Sequence, residues 1–203
     1  MIRRLTDGLS AGLLISIGGC VFLACAGEGM KWLGAILFAV ALLCICFKGY
    51  ALFTGKVGYL VADHSGSNLR VVLSSLLGNA VACVGVGLLI AAAMPALGAT
   101  AASICSAKLE QTVLSTLVRS VLCGVLMYMA VSIFREKNTI AGIVFCVPVF
   151  ILAGFEHSIA NLFYFGAARM LSLASAGYLC LVILGNAVGG MLFPLLDSVG
   201  RKQ

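Results

Sequence analysis

The sequence predicts an all-α integral membrane protein of six transmembrane helices, arranged as an inverted 3+3 repeat with helices 2 and 5 broken. Three observations lead there: an apolar content that no soluble core can hide, a chain that divides into six apolar stretches, and a pentapeptide that recurs in two of them. Of the 203 residues, 62% are hydrophobic and 10% charged, with a mean hydropathy of +1.16. A soluble domain of this length leaves too much surface uncovered for such a composition. A bilayer-crossing helix takes about 20 apolar residues, so the chain holds about six spans and predicts a single transmembrane domain over 1–203.

The spans fall at residues 9–27, 31–62, 70–97, 109–133, 139–167 and 171–197. The first follows Arg3 and Arg4 and contains Ala24-Cys25-Ala26, which imitates a cleavable secretory signal. Its glycine-studded run from Ala11 to Gly19 instead suits a face packed against other helices, as small residues do in membranes. The second and fifth are too long and too interrupted for simple helices. Ala51-Leu52-Phe53-Thr54-Gly55-Lys56 interrupts the second, and Ala153-Gly154-Phe155-Glu156-His157-Ser158 puts two ionisable residues into the fifth. Unwound backbone survives at membrane depth only under a protein cover or along a wet cavity.

The third and sixth spans carry the repeat. Leu77-Gly78-Asn79-Ala80-Val81 returns as Leu184-Gly185-Asn186-Ala187-Val188 after 107 residues, and Thr54 precedes His157 by 103. Each half, about 9–97 and 109–197, holds three spans, an odd number, so the second half enters the membrane upside down. Paired broken helices in inverted halves point to a permeation site near the midplane. Asn79 and Asn186 are expected near it, although an asparagine among small residues also serves as a helix contact.

Charge and cysteine usage narrow the function. The net charge of +6 comes without a basic patch interleaved with aromatics, which speaks against nucleic acid. With six crossings, Arg3, Arg4, Lys56, Arg70, Arg135, Lys137, Arg201 and Lys202 gather on one side and Lys31, Lys108 and Arg169 near the other. That bias predicts a multi-pass protein of the cell membrane with both termini in the cytoplasm. The nine cysteines lie in or beside apolar stretches without metal-ligand spacing, so they read as free thiols packed like small hydrophobes. No metal, redox cofactor or nucleic-acid partner is expected.

His157 is the sharpest signal, because an ionisable side chain deep in a span is a functional candidate by default. Glu156 reads as its structural neighbour, accepting amide hydrogen bonds or pairing with a cation. Ser158 beside His157 lacks the elbow and third member of a hydrolase. The half-helices starting near Gly55 and Ser158 would offer unpaired N–H groups and partial positive charge, which favours anions. Thr54 adds a hydroxyl and His157 an imidazole that titrates near neutrality when unperturbed.

Leu52-Phe53-Thr54-Gly55, Gly154-Phe155-Glu156-His157-Ser158-Ile159-Ala160-Asn161 and Gly185-Asn186-Ala187-Val188-Gly189-Gly190 resemble, in order and spacing, the signatures of the formate/nitrite transporter family. Arg119-Ser120-Val121-Leu122-Cys123-Gly124 is similar to that family's RGILCN segment, and Lys108 stands where the family keeps a vestibule lysine. The resemblance runs from Leu9 to Leu196. It implies a homopentamer of aquaporin-like protomers in membrane lipid, each with a pore for formate, nitrite, related monocarboxylates or hydrosulfide. It also implies two apolar constrictions around the histidine, built by Phe38, Leu42, Leu52, Phe53, Met127 and Phe150, with Phe155 beside the second break.

On that reading Lys108 concentrates anions at the vestibule, and a proton taken up on the way, or shared with His157, relieves the penalty of bringing a bare charge into an apolar slit. Three departures bear on selectivity. Ala51 replaces the acidic residue before LFTG, Lys48 appears one turn earlier and is a candidate partner for Glu156, and Gly124 replaces a polar residue expected along the pore. The family commonly carries an amphipathic gating helix before the first span. Here only Met1 to Gly8 precede it, so gating by that device is not expected. The competing reading is an aquaporin-like channel for a small neutral solute, and a third is a membrane anchor that predicts no conductance.

Overall fold

The computed structural model describes residues 2–200 and is helical throughout. Five helices are long and apolar enough to cross a membrane: α1 (Ile2–Gly27), α2 (Lys31–Lys48), α4 (Gly66–Ala93), α6 (Val113–Lys137) and α9 (Leu173–Gly200). Between them lie the short α3 (Phe53–Lys56), continued by a 3-10 turn over Val57–Leu60, then α5 (Pro95–Leu109), α7 (Ala141–Leu152) and α8 (Ser158–Ala167). The second predicted span is therefore α2, a break and α3; the fifth is α7, a break and α8. Arg201 and Lys202, which entered the charge asymmetry, lie outside the described residues.

Two boundaries differ from the sequence reading. The first span begins by Ile2, well before residue 9. Residues between the third and fourth spans, expected to be a connection, form α5 from Pro95 onward. Pro95 at the first helical position suits a helix start, since its missing N–H has no partner there anyway. Ala-rich Pro95–Leu109 has no one-sided apolar pattern, which is why periodicity did not reveal it.

The two halves are packed alike. Helix α1 lies along α4 and α2, as α6 lies along α9 and α7, and the half-helix α8 crosses over to pack on α4. Small residues set the outer crossings. A Cβ on Gly12 would lie 2.8 Å from the Asn79 carbonyl oxygen, and one on Gly78 would lie 2.7 Å from that of Leu5. Across α6 and α9, a Cβ on Gly124 would run into the Asn186 carbonyl and one on Gly189 into that of Val121. Without water to drive association, such backbone approaches let van der Waals contact hold membrane helices together. In α1, Gly18 meets Ala41 and Phe38, and Gly19 meets the Phe163 ring, so the Ala11–Gly19 run is a packing face. Gly124 belongs to a helix crossing, and a side chain there would collide with α9 instead of lining a pore.

Outside the spans, Ser65 caps α4 by accepting the Asn68 N–H at 3.3 Å. Asp63 accepts the Ser65 N–H at 3.0 Å, a bond that favours the ionised form and holds its carboxyl below the usual range. The surface of the single protomer is apolar on many sides, with Phe47, Leu89, Phe145 and Leu173 all at least 68% exposed.

Gly124→Val should lower the thermal unfolding temperature of the detergent-solubilised protein by several degrees, because overpacking a tight contact typically costs about 1–3 kcal/mol. Gly177→Ala in α9, where a new Cβ meets nothing within 4 Å, should leave it unchanged or raise it, the Ala being the better helix former by about 0.5–1 kcal/mol.

Candidate functional site: two helix breaks joined by a histidine and a threonine

Both breaks are built from the same backbone. Helix α2 ends at Gly49 and α7 at Gly154, each in the left-handed region with φ of 70°. At each end the glycine N–H and the next N–H return to the last turn, from Gly49 to Cys46 and Tyr50 to Ile45, and from Gly154 to Ile151 and Phe155 to Phe150. Only glycine adopts that φ without strain. The second residue after each glycine is held by a matching bond: Ala51 N–H donates to the Asp7 carbonyl and Glu156 N–H to that of Arg119, both at 3.3 Å.

The repeated asparagines complete the breaks. Asn79 Oδ1 accepts the Phe53 N–H at 2.9 Å while its Nδ2 donates to the carbonyls of Gly8 (2.8 Å) and Ala51 (3.0 Å). Asn186 Oδ1 accepts the Ser158 N–H, and its Nδ2 donates to the carbonyls of Ser120 and Glu156, all at 2.8 Å. Each amide ties the first N–H of a half-helix, a carbonyl of the break and a carbonyl of the outer helix to α4 or α9. Both side chains are fully buried and border neither cavity described below. Their place is in the scaffold, where they also take up N–H groups that the sequence reading left free for an anion.

This register revises one sequence inference. Gly49 pairs with Gly154, Ala51 with Glu156 and Phe53 with Ser158, so the breaks correspond at an interval of 105 residues. His157 therefore corresponds to Leu52 and Thr54 to Ile159. The histidine and threonine meet without being repeat mates.

They meet directly. His157 Nε2 lies 3.0 Å from Thr54 Oγ1, and the residues are 3% and 1% exposed. His157 is also the N-cap of α8, its Nδ1 accepting the Ala160 N–H at 3.1 Å. A ring nitrogen that accepts carries no proton, so the hydrogen of the neutral imidazole sits on Nε2 and is donated to Thr54. A second proton at Nδ1 would face the Ala160 N–H. Both ring nitrogens are thus committed, and Ser158 has no base. The Phe150 ring stacks on the imidazole at 5.5 Å and meets Phe38 edge-on at 6.5 Å.

Two cavities approach this layer from opposite sides and share no lining residue. One, of about 470 Å³, opens beside α5 and reaches Phe38, Phe150 and His157. The other, of about 140 Å³, opens on the side where α1 begins and reaches Leu42 and Leu52. Of the expected constriction residues, Phe38 and Phe150 close the first cavity and Leu42 and Leu52 the second. Phe53 and Met127 are buried but border neither. Phe155 and Glu156 line the α5-side cavity.

Glu156 is held by Lys108, by Gln111 Nε2 at 2.8 Å and by Asn161 Nδ2 at 2.9 Å. Lys48, weighed as its partner, is exposed at the opposite end of α2. Lys108 is thus no free vestibule charge: its cation is compensated by a carboxylate that is 2% exposed. Lys31 and Arg119 complete the charge on that cavity. Arg119 also donates to the Gly154 carbonyl at 2.8 Å and to Ser115 Oγ at 3.1 Å, bracing the break. Gln111, Asn161 and Arg119 were not singled out as site residues. Asn161 had a signal, standing in the same octapeptide as Glu156, whereas Gln111 reaches the site only because α5 and its following turn fold over the second half.

Comparison with known proteins was made on this geometry. The family model described as Formate/nitrite transporter matches residues 1–198. The nitrite transporter NirC of Escherichia coli (strain K12) is 27% identical over 176 residues, covering 77% of this chain and 66% of that protein. That of Salmonella typhimurium is 28% identical, with 77% and 65% covered. The chain thus matches just under two thirds of the length of these relatives. Among solved structures, a pentameric formate channel with formate bound shares the fold at a TM-score of 0.83 and 22% identity, over 100% of this chain and 98% of that one. An FNT family ion channel does so at 0.82 and 24%, over 98% and 90%.

Asn186→Leu should leave the Ser158 N–H and the Glu156 carbonyl of the break without partners at membrane depth and destabilise the protein by about 2 kcal/mol. Asn79→Leu should do the same by a similar amount, read as matched falls in unfolding temperature in detergent.

Proposed function

The chain belongs to the formate/nitrite transporter family, and on that premise we propose that it conducts small monovalent anions, or their conjugate acids, through a pore inside each protomer. The observation that carries this reading is the buried Thr54–His157 pair set between two cavities that enter from opposite sides. Formate, nitrite and hydrosulfide are the candidate substrates, and the names of the similar proteins favour the first two. An inverted 3+3 arrangement, a pentamer that covers part of the exposed apolar surface, and an orientation with the α1 side in the cytoplasm go with this proposal. The clustering of Arg4, Lys56, Arg70 and Arg135 on that side supports the orientation.

The hydrogen bonds of His157 support a proton carried by the substrate. Since Nδ1 of His157 is an acceptor in the α8 cap, charging the ring means breaking that cap beside the positive end of a helix. The imidazole therefore serves as a fixed neutral donor, and the proton that lightens the crossing travels on the substrate. Phe38, Phe150, Leu42 and Leu52 exclude water, so a neutral acid meets a far lower barrier than its anion. Lys31 and Arg119 draw the anion into the α5-side cavity, and protonation precedes the aromatic layer.

Flux of formate, nitrite and hydrosulfide into proteoliposomes, with glycerol and water as neutral probes, tests the function; passage of the neutral probes alone overturns it. Uptake should rise as pH falls from 8 to 5, following the fraction of conjugate acid. His157→Phe removes the donor and should lower flux about tenfold or more, one lost hydrogen bond being about 1.4 kcal/mol in the barrier. His157→Gln, which keeps a donor and does not titrate, should retain the pH dependence. Its loss in that variant would place the proton on the ring.

A further inference from the structure

The common register of the breaks compares the two mouths residue by residue. At the α5-side mouth the break carries Glu156 and, five residues on, Asn161, and the carboxylate neutralises Lys108. At the terminal-side mouth the same two places hold Ala51 and Lys56. The carboxylate is missing, and a cation stands where the other half has a neutral amide. Arg135, from the end of α6, lines the same cavity, with its guanidinium 4.3 Å over the Tyr59 ring. Lys108–Glu156 is the one salt bridge among the described residues. Asp7 is a weaker electrostatic neighbour of Lys56 than Arg135.

We propose that Lys56 and Arg135 make the terminal-side cavity a binding site for one small monovalent anion: its two cations stand with no carboxylate on the lining, whereas the α5-side lining sets Glu156 among Lys31, Lys108 and Arg119. A cavity of about 140 Å³ takes an ion of a few heavy atoms and excludes a phospholipid headgroup. Its walls, Leu42, Ile45, Leu52, Val131 and Phe134, are apolar, and a low dielectric strengthens the attraction of two cations for an anion. Only for the class of ligand does this rest on the anion-conducting reading. An anion on the terminal side is held at the mouth before it reaches Leu52, while one arriving beside α5 meets Lys31 and Arg119, with Lys108 already shared with Glu156.

Cys46 lines this cavity and reports its potential without any transport measurement. Purified full-length protein in detergent is treated with an anionic or a cationic methanethiosulfonate reagent, and labelling is read by peptide mapping at Cys46, with exposed Cys180 as the reference. The anionic-to-cationic rate ratio at Cys46 should exceed that at Cys180 and fall about 3- to 10-fold in Lys56→Asn, as expected for one charge removed at short range and partly screened. Ala51→Glu, which restores the carboxylate of the other half, should lower it similarly. In a second measurement, sodium nitrite at constant ionic strength should raise the unfolding temperature of the wild type more than that of Lys56→Asn. An unchanged ratio, or a Cys46 that neither reagent reaches together with equal nitrite stabilisation in both proteins, overturns the proposal. Absence of flux with the ratio and stabilisation as expected would count against the transport reading alone.

Discussion

Everything at the centre of this fold depends on satisfying the backbone where two helices stop inside an apolar layer. A broken helix exposes carbonyls at one end and N–H groups at the other, and lipid offers neither donors nor acceptors to meet them. The glycines at 49 and 154 turn the first helix end back on itself, and Asn79 and Asn186 supply a single amide that serves the start of the next helix, the break and the outer helix together. An asparagine is suited to this because its side chain carries both an acceptor and two donors on a short, planar group. Serine would cover fewer of the three bonds, and aspartate would bring a buried charge.

The functional pair inherits its geometry from that construction. Once Asn186 fixes the start of α8, His157 is left as the residue just before it, in extended conformation, with its Nδ1 over the Ala160 N–H. The imidazole is oriented by its own helix and has one remaining valence, which Thr54 receives from the other half. A side chain this constrained is a positioned donor. The same bonds that stabilise the break set its tautomer and oppose its charging.

Around this shared core the halves differ in where their charges stand. Glu156 binds Lys108, Gln111 and Asn161 into a compact polar cluster at one mouth, while Ala51 and Lys56 leave the other mouth cationic. Glu156, Lys108 and Lys56 line cavities, where an altered side chain does not disturb a helix crossing. At Gly12, Gly78, Gly124 and Gly189 the opposite holds: backbone meets backbone and nothing larger fits.

Much of this was legible in the residues alone. Apolar content and span lengths dictate a helical membrane protein, because no other arrangement of 203 such residues satisfies the bilayer. Charges and glycines inside the second and fifth spans mark the breaks, because neither belongs in a lipid-facing helix. The recurrence of LGNAV shows that the halves correspond. What the sequence left open depends on register and on contacts between distant segments. It did not show that the asparagines belong to the scaffold, that His157 answers to Leu52 instead of Thr54, that Lys108 is neutralised by a glutamate 48 residues away, or that Gly124 lies in a crossing. A pattern along the chain reports which residues lie on a helix, whereas the partner of a buried donor or charge is fixed only when the helices pack and each polar group takes whichever neighbour the geometry leaves within reach.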